Sequence, residues 1–279
     1  MKNLFVLCCM VAAVVAACNN PSVESSSTED TVTVIPTATA TAPEPASTEE
    51  ILARPEVPIL CYHQIRDYKE KDSRTARAYI VPVAAFAAQM QALADSGYQS
   101  ILPNQLYDYL VYNKPLPPRP VLISFDDTRL DQYTTALPEM EKHGFKAAFF
   151  IMTVSLGRPG YMSTEQVADL HRKGHSIGSH TWDHHDVRKY QEADWKTQIE
   201  KPARQLAAIT GEPVKYFAYP FGLWNKQALP ELARREVQMA FQLADSRDSS
   251  QPLLTVRRII VPGSFNGQGL VKAMKSSFQ

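Results

Sequence analysis

Little in this sequence could cross-link the fold or charge it. The 279 residues hold four cysteines, and Cys8, Cys9 and Cys18 all fall in or beside the apolar N-terminal run. That leaves Cys61 alone. An internal disulfide is excluded, and a buried core has to hold the fold. The 29 basic and 29 acidic side chains cancel, which removes any bulk electrostatic case for a nucleic-acid partner. The apolar run itself, Leu4–Ala17, is 14 residues long, short of the ~20 that a spanning helix needs. No internal repeat is present, so a solenoid is not expected.

What is present begins with an export signal. Lys2 supplies a positive start, the apolar run follows, and Val15-Ala16-Ala17-Cys18 resembles a bacterial lipobox. On that reading residues 1–17 are a signal peptide and Cys18 carries a lipid. An ordinary secretory signal is the alternative. Residues 18–50 are rich in Ser, Thr, Ala and Pro and have little to bury, so they read as a flexible tether. Residues 51–279 then form one domain, expected to be monomeric and lipid-anchored at a cell envelope.

Within that domain, strand-like apolar runs alternate with amphipathic stretches. The runs are Pro58–Tyr62, Val121–Phe125, Ala147–Met152, Ser176–Gly178, Tyr216–Tyr219, Met239–Leu243 and Val256–Val261. Helices are expected at Val83–Ala94, Leu130–Lys142, from Ser163, and over Asp194–Ile209, Leu229–Arg235 and Leu270–Ser276. About seven strands separated by helices define an α/β fold, a parallel barrel or a doubly wound sheet, with ligands at the carboxyl ends of the strands.

Three of those ends carry chemistry. Ser124-Phe125-Asp126-Asp127 puts two carboxylates after a strand. Neighbouring carboxylates resist joint ionisation unless a cation relieves them, so one suits a metal and the other a base. A plain turn, with Asp127 capping the next helix, is the competing reading. Ser179-His180-Thr-Trp-Asp-His184-His185 brings imidazoles together after another strand. A helical turn after His180 would align His180 with His184; without it, His185 is the alternative. Two neutral imidazoles and a carboxylate suit an open Zn²⁺-type site. Tyr219-Pro220-Phe221-Gly222 is a turn able to offer a backbone N–H to an oxyanion. Trp182, Tyr219 and Trp224 are sugar-stacking surfaces or simply core. Cys61, inside an apolar run, reads as a small buried hydrophobe.

Taken together and in this order, these motifs resemble the polysaccharide deacetylase family (carbohydrate esterase family 4), and Val57–His63 resembles the first strand of its biofilm poly-N-acetylglucosamine branch. The resemblance spans about residues 57–262. It implies a distorted (β/α) barrel with fewer than eight strands. Asp126 falls on the family's catalytic base and Asp127, His180 and His184 on its metal ligands. Phe221 falls on its oxyanion-binding N–H. A divalent metal is implied, Zn²⁺ first, with Co²⁺, Ni²⁺ or Mn²⁺ admitted, and so is an N-acetylated polysaccharide substrate.

The sequence departs from the family in three ways. Ala218 stands where an arginine normally steadies the base, the late histidine acid is missing, and so is the Trp-bearing motif. Arg258 is the candidate replacement cation, against a plain salt bridge; His63 is the candidate acid, against a structural histidine. An O-acetyl esterase and an inactive carbohydrate-binding lipoprotein remain as competing readings.

Overall fold

The computed structural model describes residues 44–243 and 246–278. The signal, Cys18 and most of the tether lie outside them. No described helix is long and apolar enough to cross a membrane.

Strands β1 (Ile59–Tyr62), β2 (Gln64–Ile65), β3 (Ile80–Val81), β4 (Gln99–Ser100), β5 (Pro120–Phe125), β6 (Ala147–Ile151), β7 (Ser176–Ser179), β8 (Tyr216–Ala218), β9 (Met239–Phe241) and β10 (Ile259–Ile260) follow in chain order. The main sheet runs β10-β1-β5-β6-β7-β8-β9, with β4 added beside β5, and β2 pairs with β3 apart from it. Every ladder is parallel, as helical crossovers require. The expected strand Val256–Val261 is split. Val256 bridges Phe241, whereas Ile259 and Ile260 pair with β1. One segment therefore touches both ends of the sheet path, which is how the curled sheet becomes a distorted barrel of seven strands. The ladder breaks at Arg257–Arg258, and Arg258 is fully buried there.

Strand periodicity sorts the side chains into two layers. Ile59, Leu122, Ala148 and Phe150 join one buried cluster. Leu60, Ile123, Phe125 and Phe149 join the other, beneath helix Val83–Asp95 with Phe86, Met90 and Leu93. By the same alternation Cys61, Ser124 and Asp126 share the layer of Ile59 and Leu122, so sequence parity alone turns Asp126 inward. On β7, Gly178 is obligatory because an added Cβ would lie 2.6 Å from the Phe150 ring. Phe150 fills space that any larger residue would need.

Ordered packing starts before residue 51. Ser47 and Glu50 form a reciprocal capping box at the head of helix Thr48–Ala53, Ile51 is buried, and Ala46 N–H donates to Val111. The Ser/Thr/Ala/Pro composition of the tether hid this short helix. The helix opening at Ser163 has the expected capping box. Two other helices contain π turns, Gln132–Ala136 and Trp195–Glu200.

His175, just before β7, is buried, and its Nδ1 accepts the Ala147 N–H at 3.1 Å. Burial, with help from Lys146, lowers its pKa to about 4. The unfolded chain takes up this proton near the ordinary imidazole value of about 6.5, so stability is fully present above that pH and lost as pH falls toward 4. Linkage gives a loss of about 2 kcal/mol by pH 5 and about 3 kcal/mol in the limit. Urea unfolding of the wild type between pH 7 and pH 5 should show that slope, and His175→Asn should flatten it.

Candidate active site

The site forms where β1, β5, β7 and β8 end. After β5 the chain turns sharply: Asp127 and Thr128 both adopt left-handed backbone, with φ of 74° and 62°. Thr181, His184 and Phe221 do so as well. Among the described residues, five of the eight non-glycine residues with positive φ therefore border one spot, and such strain persists only where surrounding structure enforces it. The turn at Asp127 reverses the strand alternation, so that Asp126 points into the barrel and Asp127 toward its mouth. Asp127 caps no helix; the segment after it opens on Asp131 without a side-chain cap.

His180 follows β7 and is buried. Its Nδ1 lies 2.8 Å from the Ala218 carbonyl oxygen; a carbonyl only accepts, so Nδ1 carries the hydrogen and Nε2 presents its lone pair. Residues 181–184 form a turn with left-handed Thr181 and His184, not the helix expected from the four-residue spacing. The imidazoles converge all the same, with ring centroids 4.8 Å apart. The turn is fixed by the His184 N–H donating to Thr181 Oγ1 at 2.8 Å. His185 is exposed and packs on Tyr190, so it is His184 that joins Asp127 and His180 in the cluster.

Asp127 Oδ1 stands 3.5 Å from both His180 Nε2 and His184 Nε2. Those separations are long for charge-assisted hydrogen bonds, and Asp127 Oδ1 and His180 Nε2 are buried without a hydrogen-bond partner. The ligand atoms of Asp127, His180 and His184 all lie within 4.8 Å of one another. Orphaned donors of this type, gathered on three sides of a small gap, fit a divalent cation. Burial alone would raise the Asp127 carboxyl, but His180, His63 and His184 override it and pull its pKa down to about 2. Burial lowers the His184 imidazole. It would lower His180 too, but Asp126 and Asp127 reverse the shift.

Asp126 sits behind this trio. Arg258 Nη1 and Nη2 donate to its two carboxylate oxygens, each at 2.7 Å, and Nη1 also donates to Ser124 Oγ at 3.1 Å. The guanidinium lies over the Phe150 ring. Burial opposes the Asp126 charge, yet Arg258, joined by His180 and His63, outweighs it and holds the carboxyl well below the usual carboxylate range. The cation paired with Asp126 thus comes from the residue just before β10, on the far side of β1. Cys61 Sγ donates weakly to Asp126 Oδ2 across 3.5 Å, so this thiol belongs to the surroundings of the carboxylate as well as to the core. Burial raises its pKa well above the ordinary thiol value.

His63, at the tip of β1, clusters with Cys61 and Asp126; its ring packs edge-on to Tyr79 and its Nδ1 is buried without a partner. Burial lowers its pKa, against the pull of Asp126 and Asp127. Phe221 caps the other side, its exposed ring 4.4 Å from that of His184. Its N–H finds no acceptor among the hydrogen bonds of the described residues. Tyr219 is not a sugar surface. It is fully buried and donates its hydroxyl to Leu254. Trp224 Nε1–H donates to Gln242, and Lys201 covers the Trp182 ring at 4.2 Å.

Sequence reading missed Ser124, Cys61 and Gln132 as parts of the site. The inward parity of Asp126 would have found the first two; nothing local marks Gln132.

A parallel barrel with a carboxylate–imidazole trio at its strand tips, beside a separately clamped aspartate, has the architecture of a hydrolytic enzyme. The sequence matches the polysaccharide deacetylase profile over residues 113–240. It is 28% identical over 225 residues to Bacillus subtilis YxkH, named as a polysaccharide deacetylase, covering 78% of this chain and 77% of that one. It is 25% identical over 210 residues to a Staphylococcus aureus poly-beta-1,6-N-acetyl-D-glucosamine N-deacetylase, covering 67% and 71%. The structure of the Streptococcus pyogenes deacetylase PplD in complex with acetate superimposes with a TM-score of 0.73 at 26% identity, covering 79% of this chain and 99% of that one. The chain carries a polysaccharide deacetylase domain, and its relatives and structural neighbours indicate a deacetylase enzyme.

Proposed function

We propose that this enzyme removes N-acetyl groups from a glucosamine-type polysaccharide, an exopolysaccharide or peptidoglycan, at a bacterial envelope where a lipid on Cys18 anchors it. The observation that carries this reading is the juxtaposition of the Asp127–His180–His184 trio with the carboxyl group of Asp126, which Arg258 clamps from behind. The Staphylococcus aureus relative, named for poly-beta-1,6-N-acetyl-D-glucosamine, supports the substrate class.

Asp127, His180 and His184 would hold a divalent ion, Zn²⁺ by the donor set, with Co²⁺, Ni²⁺ and Mn²⁺ as alternatives. When bound, such an ion supplies Lewis acidity and a water whose pKa is lowered toward 7. Asp126 is the base, kept ionised by Arg258. On this reading a proton taken up by Asp126 passes to His63, which shares its cluster and would protonate the departing amine. The Phe221 N–H is free to donate to the tetrahedral oxyanion, a contact worth roughly 3 kcal/mol for one good donor.

The inactive carbohydrate-binding reading rested on the missing acid and on Ala218, and the pairing of Arg258 with Asp126 weakens the second of these. Acetate release from N-acetylglucosamine polymers by the zinc-loaded protein tests the proposal. Asp126→Asn should abolish release and leave metal binding intact. Faster release from O-acetylated polymer would make the enzyme an esterase, and no release from either would leave a binding protein.

A further inference from the structure

We infer that Asp131 and Gln132 act as a positioning clamp that sets the separation of the His63 and Asp126 strand tips; the inference rests on the roles proposed above for those two residues. The β1–β5 ladder ends at the pair Tyr62–Phe125, followed by one more bond from Asp126 N–H to the Tyr62 carbonyl. Beyond it the strands part, and β1 leads into β2, which pairs elsewhere. The carbonyls of His63 and Asp126 therefore lie past the last ladder rung, in a region where main-chain acceptors still need donors.

Both are satisfied by one side chain. Gln132 Nε2 donates to the His63 carbonyl at 2.7 Å and also to the Asp126 carbonyl. Two carbonyl acceptors require the amide nitrogen to face them, which settles the amide orientation. The preceding residue completes the grip: Asp131 Oδ1 accepts the Ile65 N–H at 2.9 Å. Consecutive side chains thus hold three main-chain groups on two strand exits.

The local cost shows that the placement is specific. Gln132 begins a π turn, Gln132–Ala136, a conformation rare in helices and frequent at functional sites. Gln132 is 1% exposed, and its Oε1 is buried with no hydrogen-bond partner, a deficit of about 1–3 kcal/mol. An apolar residue would pack the same space without that deficit but would leave both carbonyls orphaned. The carbonyls it serves belong to the two residues that exchange the proton, and those side chains already lie within one 4.8 Å cluster. Sub-ångström drift between them is enough to slow proton transfer.

The test is a double-mutant cycle. Gln132→Met keeps the volume and removes both donors. In zinc-loaded enzyme it should lower kcat about 30-fold with KM within twofold, and zinc affinity should change less than threefold. Combined with His63→Ala it should add less than threefold to the loss from His63→Ala alone, because the clamp acts through His63. Should Gln132→Met not fold, Asp131→Ala, in the more accessible half of the clamp, takes its place. It should lower kcat about tenfold, and Asp131→Asn, which keeps an acceptor for Ile65, should recover it. Losses that multiply across the cycle, unchanged kcat, or failure of Asp131→Asn to recover activity would make these residues ordinary core and overturn the inference. Wild-type zinc enzyme that releases no acetate at all would instead refute the parent reading, and the clamp with it.

Discussion

Replacing Arg258 with Gln should destabilise the protein by about 3–5 kcal/mol and nearly abolish activity near neutral pH, although Arg258 is remote from any substrate surface. The pair it forms with Asp126 is fully buried, with side-chain exposures of 0% and 2%. Removing one partner leaves an uncompensated charge in a low-dielectric interior, the costly case for buried ion pairs. The pH dependence identifies the cause. Burial pushes the Asp126 carboxyl up, and Arg258 is the main influence holding it down. In the wild type Asp126 stays ionised throughout the working range. Without the guanidinium the carboxyl should move upward, so the base should be lost at higher pH than in the wild type and residual activity should climb as pH rises. Arg258→Lys should be only a partial substitute, because one ammonium cannot reproduce the two parallel donors. Denaturant unfolding and pH–rate profiles of the three proteins check this. If Arg258→Gln matches the wild type in both, Asp126 does not depend on this cation.

Removing a member of the trio should have a comparably large effect with a different signature. His180→Ala or Asp127→Asn should weaken zinc binding by at least about 100-fold, since changes merely adjoining a metal ligand already cost about 10–100-fold. Deacetylation should vanish with it, and wild-type enzyme stripped by chelator should recover on adding zinc. Without metal, the variants should remain folded, because the core clusters pack independently of these side chains. His185→Ala should leave affinity unchanged, because that ring lies against Tyr190. Competition titration against a chromophoric chelator measures all three. Equal affinity for His180→Ala and wild type would remove the trio from metal binding.

Much of this was readable in advance because strand physics is local. Apolar runs alternating with amphipathic stretches located every strand of the main path, and Asp126, Asp127 and His180 stood at the ends of such strands. The adjoining turns were harder. The four-residue spacing of His180 and His184 suggested a helix, but left-handed backbone at Thr181 and His184 joins the rings instead. That conformation is unfavourable for non-glycine residues and is imposed by surrounding contacts, so no local rule anticipates it. Composition likewise concealed the helix Thr48–Ala53, whose stability comes from docking Ile51 rather than from a long apolar stripe.

The sequence by itself determined the alternation of strand and helix, the inward parity of Asp126 and the absence of an arginine at Ala218. Only the tertiary structure decided what replaces that arginine. Arg258 lies 132 residues from Asp126, and the two meet because β10 pairs with β1 and β1 with β5. Gln132 likewise found its acceptors only once two strand tips diverged above it. Strand identity follows from the burial demands of neighbouring residues, which a sequence displays. The partner of a buried charge follows from strand order and closure, which bring distant positions together and leave no local trace.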